Sequence, residues 1–171
     1  MQDTLTLLTG HVAKALNQET IDPDVAIGEL GFDSMRVVEL ILICDETSLP
    51  SVSRWVREVR PGTPIDVIAS VPGPGEWVAE YLGPVPGTRV HVVAPDISGG
   101  TVLGALERLG PVGEGVFVWA AGEATGLVPV RRHLRRTLGL PPAQAQVSGY
   151  WRRGVEAFDH HAPIDPFDPD E

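Results

Sequence analysis

Short apolar runs alternate with helical patterns from residue 37 to residue 150, and this alternation constrains the fold more than any other feature of the chain. The first run, residues 37–44, is nearly all apolar and partly β-branched, as expected of a buried parallel strand. Strands are predicted at 37–44, 64–71, 89–94, 115–121 and 144–150. Helices are predicted at 50–59, 76–82, 101–109 and 123–138. The expected fold class is therefore α/β, a Rossmann-like doubly wound parallel sheet of about five strands with right-handed crossovers.

The net charge of −10 is distributed unevenly along the chain. Residues 47–154 carry a net charge of +3, whereas residues 1–46 carry −7 and residues 155–171 carry −6. The middle segment therefore suits an anionic ligand. Twelve of the thirteen bases are arginines, which suit two-point contacts to phosphate. We do not expect a nucleic-acid partner, because a polyanion would be repelled by the chain as a whole.

The cysteine count and the apolar runs indicate the cellular context. The single cysteine, Cys44, excludes an intramolecular disulfide and fits a reducing compartment. The N-terminus lacks the basic region of a signal peptide, and no apolar run is long enough to span a membrane. We therefore expect a cytoplasmic protein with no membrane partner. The sequence contains no recognisable metal-ligand set and no catalytic triad, so no catalytic residue is assigned.

A first candidate site follows the first predicted strand. Ligands of open parallel sheets bind beyond the carboxyl ends of the strands, where the strand order reverses. In the turn 45–50, Thr47 or Ser48 can cap the next helix, and free backbone N–H groups can hold a pyrophosphate. Asp45 and Glu46 oppose this binding, since they place negative charge beside the phosphates. The alternative interpretation is an ordinary capped helix.

A second candidate turn, Ala121, Gly122 and Glu123, follows the fourth predicted strand. Gly122 allows a backbone to approach closely, and a negative charge at Glu123 is favourable at a helix start. The alternative is again a plain helix cap. The helix that follows carries Arg131, Arg132, Arg135 and Arg136. One or two of these arginines could reach a 2′-phosphate, and otherwise they form a solvated face.

Four segments together resemble the nicotinamide-nucleotide half of the siderophore-interacting proteins, over about residues 40–154. They are CDETSLP (44–50), AAGE (120–123), RRHLRR (131–136) and VSGYWRRG (147–154). The family comprises flavin-dependent ferric-siderophore reductases that are similar to ferredoxin–NADP reductase. Its members bind flavin mainly through an N-terminal antiparallel barrel. The family has a glycine where this chain has Cys44.

The resemblance implies NADPH or NADH as the cofactor. It also implies that an aromatic side chain, Tyr150 or Trp151, lies near a flavin, with Arg152 and Arg153 nearby. The implied cofactor-binding residues are Asp45, Glu46, Thr47, Ser48, Ala121, Gly122, Glu123, Arg131, Tyr150, Trp151 and Arg152. FAD is expected only through a partner, a flavin-binding barrel protein, because nothing before residue 40 can form that barrel. The chain is then an NAD(P)H-dependent flavin oxidoreductase only if flavin or the barrel is supplied in trans. Its expected role is in siderophore and iron metabolism.

Residues 1–41 resemble the first half of an acyl or peptidyl carrier protein. The segment GELGFDSMRVVEL (28–40) contains the serine motif in which Ser34 would carry phosphopantetheine. The expected domains are a truncated carrier-like helical segment at 1–36, the nucleotide-binding domain at 37–154, and a disordered acidic tail at 155–171. Two alternatives stay open. One is a carrier protein modified on Ser34, with siderophore-biosynthesis enzymes as partners, and the other is a non-catalytic interaction module.

Overall fold

The computed structural model describes residues 37–168, and within them five strands alternate with four helices. The strands are β1 (Glu39–Asp45), β2 (Ile65–Ser70), β3 (Thr88–Val93), β4 (Val116–Glu123) and β5 (Ala145–Trp151). The helices are α1 (Leu49–Glu58), α2 (Glu76–Leu82), α3 (Gly100–Leu109) and α4 (Ala124–Arg132). The predicted strand at 37–44 is confirmed as β1. Ser34 and the carrier-like segment 1–36 lie outside the described residues.

All five strands are parallel and lie in the order β3-β2-β1-β4-β5. The chain runs outward from the central β1 to β3, then crosses back to the other side of β1 as β4. The strand order therefore reverses between β1 and β4, whose ends are adjacent, with Cys44 opposite Ala121. This topology confirms the predicted Rossmann-like α/β fold.

The strand residues alternate between two apolar cores, one on each face of the sheet. In β1, Leu40, Leu42 and Cys44 face the core beneath α1 and α2, whereas Ile41 and Ile43 face the core beneath α3 and α4. Successive strand side chains point to opposite faces, so a run that is apolar at every position must be covered on both sides. This requirement explains why residues 40–44 are apolar at every position.

Helix α4 is shorter than the helix predicted at 123–138. It ends at Arg132 and continues as a π-helical turn, His133–Thr137. Pro129 lies inside α4, where it cannot donate a backbone hydrogen bond. Leu134 is nevertheless fully buried, so the turn keeps the apolar face of the helix against β4 and β5. Among the described residues, no helix is long and apolar enough to cross a membrane.

The segment 155–168 packs across α4 and its π-helical turn. Ile164 is 6% exposed and packs into the core beneath α4. The carboxylate of Asp165, 2% exposed, accepts a 2.6 Å hydrogen bond from Arg132 Nε. Asp168 pairs with Arg136. The arginines of α4 and its π-helical turn therefore neutralise acids of the tail.

Candidate functional site

A cleft of about 360 Å³ opens at the carboxyl edge of the sheet, where the strand order reverses. Its walls come from the turns that follow all five strands. The side chains that define it are Asp45 and Glu46 after β1, Asp96 after β3, Glu123 at the end of β4, and Trp151 and Arg153 at the end of β5. The location is the one that the sequence predicts for a ligand site in this fold.

Asp45 joins three strand ends in this cleft through its carboxylate. Oδ2 accepts hydrogen bonds from Glu123 N at 2.9 Å and from Trp151 Nε1 at 2.8 Å. Oδ1 accepts from Thr47 N at 2.9 Å, Thr47 Oγ1 at 2.6 Å and Ser48 N at 3.2 Å. Asp45 therefore holds the end of β1 to the ends of β4 and β5, and it also fixes the indole of Trp151.

The N–H groups expected to hold a pyrophosphate are already used within the β1–α1 turn. Thr47 N and Ser48 N both donate to Asp45, as described above. Neither Thr47 nor Ser48 caps α1 with its side chain. The buried Ser48 hydroxyl instead donates a 2.7 Å hydrogen bond to the carbonyl oxygen of Ala121. The acidic residue of the turn thus takes the place that an anionic ligand would occupy.

Glu123 likewise accepts backbone N–H groups at the start of α4. Its Oε2 accepts a 2.7 Å hydrogen bond from Gly126 N, and its Oε1 accepts one of 3.1 Å from Arg153 N. Gly122, directly before it, has a φ of 152°, and a Cβ atom there would lie 2.6 Å from Asp45 Oδ2. The glycine is therefore required by the Asp45 carboxylate, which crosses directly over it.

Asp96 closes the start of α3 in a similar way. Its Oδ1 accepts a hydrogen bond from Ser98 N at 2.9 Å, and its Oδ2 accepts from Gly100 N at 3.1 Å. The Ser98 hydroxyl also donates to Oδ2, and these hydrogen bonds hold the pKa of Asp96 below its usual range. At the starts of α1, α3 and α4, a carboxylate of the chain itself therefore accepts a backbone N–H group.

Cys44 lines the cleft but is 2% exposed. Burial, together with the neighbouring charge of Asp45, raises the pKa of its thiol to about 12. Thiols react as thiolates, so Cys44 is an inert apolar wall of the site and not a nucleophile. Among residues 37–168, no group of His, Cys, Asp and Glu side chains is arranged to hold a metal ion.

The cleft brings together only some of the residues proposed from the sequence. Asp45, Glu46, Ala121, Gly122, Glu123 and Trp151 line it. Thr47 and Ser48 do not line it, but they donate hydrogen bonds to Asp45. Tyr150 does not line the cleft. It packs against the core beneath α1 and α2, edge-on to Trp119 with ring centroids 6.4 Å apart.

Two of the proposed arginines contact the tail. Arg152 donates to the carbonyl oxygen of Ile164 at 3.1 Å and stacks over Phe158. Arg131 is 4% exposed and lies 3.4 Å from the Asp168 carboxylate. Both positions bring these side chains to the acidic segment 155–168, and neither residue is among those that line the cleft.

Asp96 and Arg153 line the cleft but are not among the cofactor-binding residues proposed from the sequence. Arg153 follows β5, and Asp96 follows β3 at the same edge of the sheet. Because the carboxyl ends of parallel strands share one edge, the sequence pattern already indicates that the turn after the third predicted strand, which contains Asp96, lies near the site. Arg153 lines the cleft and Arg152 does not, because Arg152 contacts the tail. The sequence did not indicate how the tail packs.

Comparisons with known proteins agree with this architecture. The siderophore-interacting protein family model matches residues 37–154. A siderophore utilization protein from T. fusca is 32% identical, with a TM-score of 0.62, over 73% of this chain and 49% of that one. Siderophore-interacting proteins from A. baumannii (19% identity, TM-score 0.60) and Aeromonas hydrophila (SipS, 22%, 0.59) share the fold. These two matches cover 71% and 70% of this chain, respectively, and 48% of each of the two solved chains.

No curated protein matches the chain. The chain spans about half the length of the solved structures that it resembles. The family model covers well over half of the chain, and it covers the whole of the sheet that forms the cleft. The chain therefore belongs to the siderophore-interacting protein family.

Proposed function

We propose that this domain binds a reduced nicotinamide dinucleotide in the cleft and serves siderophore and iron metabolism, with flavin supplied by a partner. The observation that carries the proposal is the position of the cleft. It lies at the reversal of strand order between β1 and β4, which is where dinucleotides bind in sheets of this kind. Membership of the siderophore-interacting protein family supports the biological context.

The reduced nicotinamide supplies a hydride, and the chain's own residues provide position and electrostatics. Trp151 offers a flat aromatic wall, which the hydrogen bond to Asp45 holds in one orientation. Gly122 gives the Asp45 carboxylate room to cross the end of β4, so the close approach that the glycine allows is used by the chain itself. Arg153 is the one arginine or lysine among the described residues that line the cleft, and it is exposed there.

The residues suit the rings and sugars of a dinucleotide better than its phosphates. Helix N-termini usually bind phosphate through free N–H groups. Here Ser48 N, Gly100 N and Gly126 N are hydrogen-bonded by the chain's own carboxylates. We therefore expect affinity well below that of a site with open helix termini.

Calorimetric titration of the full chain with NADH and NADPH at low salt tests the proposal. We expect saturable binding that Trp151→Ala weakens at least about fivefold, since base stacking on an aromatic side chain contributes about 1–3 kcal/mol. Trp77→Ala is the matched control, because Trp77 is exposed on α2 and does not line the cleft. Equal losses in the two variants, or no heat with either nucleotide at millimolar concentration, would contradict nucleotide binding in this cleft.

The closed helix termini favour a second candidate, a non-catalytic interaction module that keeps the fold. In this case the carboxylates of Asp45, Asp96 and Glu123 serve only to cap helices and join strand ends. The same titration separates the two functions, because the module gives no response to either nucleotide. The redox role would further require reduction of a flavin-bearing partner protein by NAD(P)H in the presence of the chain.

A further inference from the structure

The cleft is acidic, although residues 47–154, which form most of it, carry a net positive charge. Four carboxylates line it, those of Asp45, Glu46, Asp96 and Glu123, against the single guanidinium of Arg153. The net charge of +3 on residues 47–154 is therefore located elsewhere on the domain. An anionic group that enters the cleft meets more negative than positive charge.

The arginines that could reverse this balance are held by other parts of the chain. Arg131 and Arg136 lie against Asp168, and Arg132 is bonded to Asp165. Arg135 donates to two carbonyl oxygens, that of Leu140 at 2.9 Å and that of Ala145 at 2.6 Å. The arginines that were predicted to contact phosphate are thus bound to acids of the tail and to backbone carbonyl groups.

At the end of the cleft formed by the turns after β2 and β3, no base among the described residues offsets the carboxylate of Asp96. Arg153 lies at the opposite end, after β5. The described lining residues at the β2–β3 end include Asp96 and no base, and Asp96 also takes the N–H of Gly100. A phosphate there faces an ionised carboxylate instead of a donor.

From this arrangement we infer that, of the two reduced nicotinamide dinucleotides, the cleft prefers NADH, because the 2′-phosphate of NADPH is repelled by the carboxylates that line it. The inference depends on the proposed nucleotide binding. A phosphate monoester adds about −1.5 to −2 charges at neutral pH. Across several ångströms of solvent, repulsion by one or two carboxylates amounts to about a fivefold loss of affinity. This effect falls with ionic strength, since salt screens exposed charges.

The test compares dissociation constants of NADH and NADPH for the full chain, by calorimetry at low and at physiological salt. The expected result is tighter binding of NADH, by about fivefold at low salt and less at high salt. Glu46→Gln and Asp96→Asn should each shrink the ratio of the two constants. Glu114→Gln removes the same charge from an exposed position before β4, at the other edge of the sheet, and should leave the ratio unchanged.

Equal or tighter binding of NADPH would overturn the inference and leave the proposed function standing. A preference for NADH that Glu46→Gln and Asp96→Asn do not alter would also overturn it, because the carboxylates would then not be the cause. Failure of both nucleotides to bind would remove the proposed function together with the inference.

Discussion

The carboxylate of Asp45 and the indole of Trp151 lie 106 positions apart in the sequence and are joined by a 2.8 Å hydrogen bond. The same carboxylate oxygen accepts from Glu123 N. One acidic side chain therefore connects the first, fourth and fifth strands at the edge where the cleft opens. The arrangement and stability of the cleft depend on it.

Replacing Asp45 with alanine should destabilise the domain by about 2–4 kcal/mol, because several donors lose a charged acceptor at once. Urea unfolding followed by circular dichroism measures this loss. Glu46→Ala is the control, since Glu46 is exposed next to Asp45 and its replacement should change the free energy of unfolding by no more than about 0.5 kcal/mol. Similar midpoints for the two variants would show that Asp45 does not hold the strand ends together.

Gly122→Ala should also be destabilising, by about 1–3 kcal/mol, because the added methyl group overlaps the Asp45 carboxylate. Gly113→Ala provides the comparison, since a Cβ atom there has no neighbour within 4 Å. The double variant Gly122→Ala/Asp45→Ala should lose less than the sum of the single losses, as the clash disappears with the carboxylate. Full additivity in unfolding experiments would contradict this geometry.

Asp66 should contribute pH-dependent stability. Burial alone would raise its pKa, but hydrogen bonds from Arg89 (2.9 Å) and with His91 (2.6 Å), together with their charges, hold the pKa below its usual range. A lowered folded-state pKa means that this stability is complete above the unfolded pKa, about 3.9, and is lost as the pH falls through the folded-state value. The stability difference between the natural chain and Asp66→Asn should therefore shrink below about pH 4. A difference that stays constant from pH 6 to pH 3 in urea unfolding would contradict this.

Ile164→Ala should cost about 2–4 kcal/mol, because Ile164 is 6% exposed and fills the core beneath α4. Phe167→Ala is the matched control on the same segment, since Phe167 is 92% exposed. Limited proteolysis gives a second measurement, in which Ile164→Ala should speed cleavage within 155–168 and Phe167→Ala should not. Rapid cleavage of the natural chain in this segment would show that the tail does not pack on α4.

Ser34 should be a poor substrate for a broad-specificity phosphopantetheinyl transferase. Such enzymes dock on the second helix of a carrier protein, and here residues 39–45 form the central strand of the sheet instead. Intact-mass spectrometry after incubation measures the modification. Near-complete addition of the arm, abolished by Ser34→Ala, would restore the carrier hypothesis.

The fold was predictable because each element carries its own local pattern. The run at 37–44 is apolar at every position except Glu39, and Val52, Trp55 and Val56 of α1 are buried. The parallel, doubly wound sheet followed from the alternation of strands and helices. The π-helical turn after Arg132 was not predictable, because the spacing of Leu127, Leu134 and Leu138 is also compatible with a continuous α-helix.

The site was predictable in location but not in electrostatics. The turns after β1 and β4 were identified correctly as neighbours at one edge. The hydrogen bonds that Asp45 accepts from Glu123 N and Trp151 Nε1 join strand ends 78 and 106 residues apart in the chain, and these bonds depend on the packing of the strands. The pairing of Arg131, Arg132 and Arg136 with the tail also arises from tertiary contacts, which local sequence patterns do not encode.

Because the only cysteine of the chain is buried with a thiol pKa of about 12, the natural protein should resist alkylating reagents while it remains folded. A cysteine introduced for site-directed spectroscopy would therefore react without interference from Cys44. A cysteine introduced at the exposed position of Glu46 or Arg153 could be labelled selectively with a fluorophore or spin probe at the mouth of the cleft. Reaction of Cys44 itself would then report unfolding, since the thiol is accessible only when the central strand leaves the sheet.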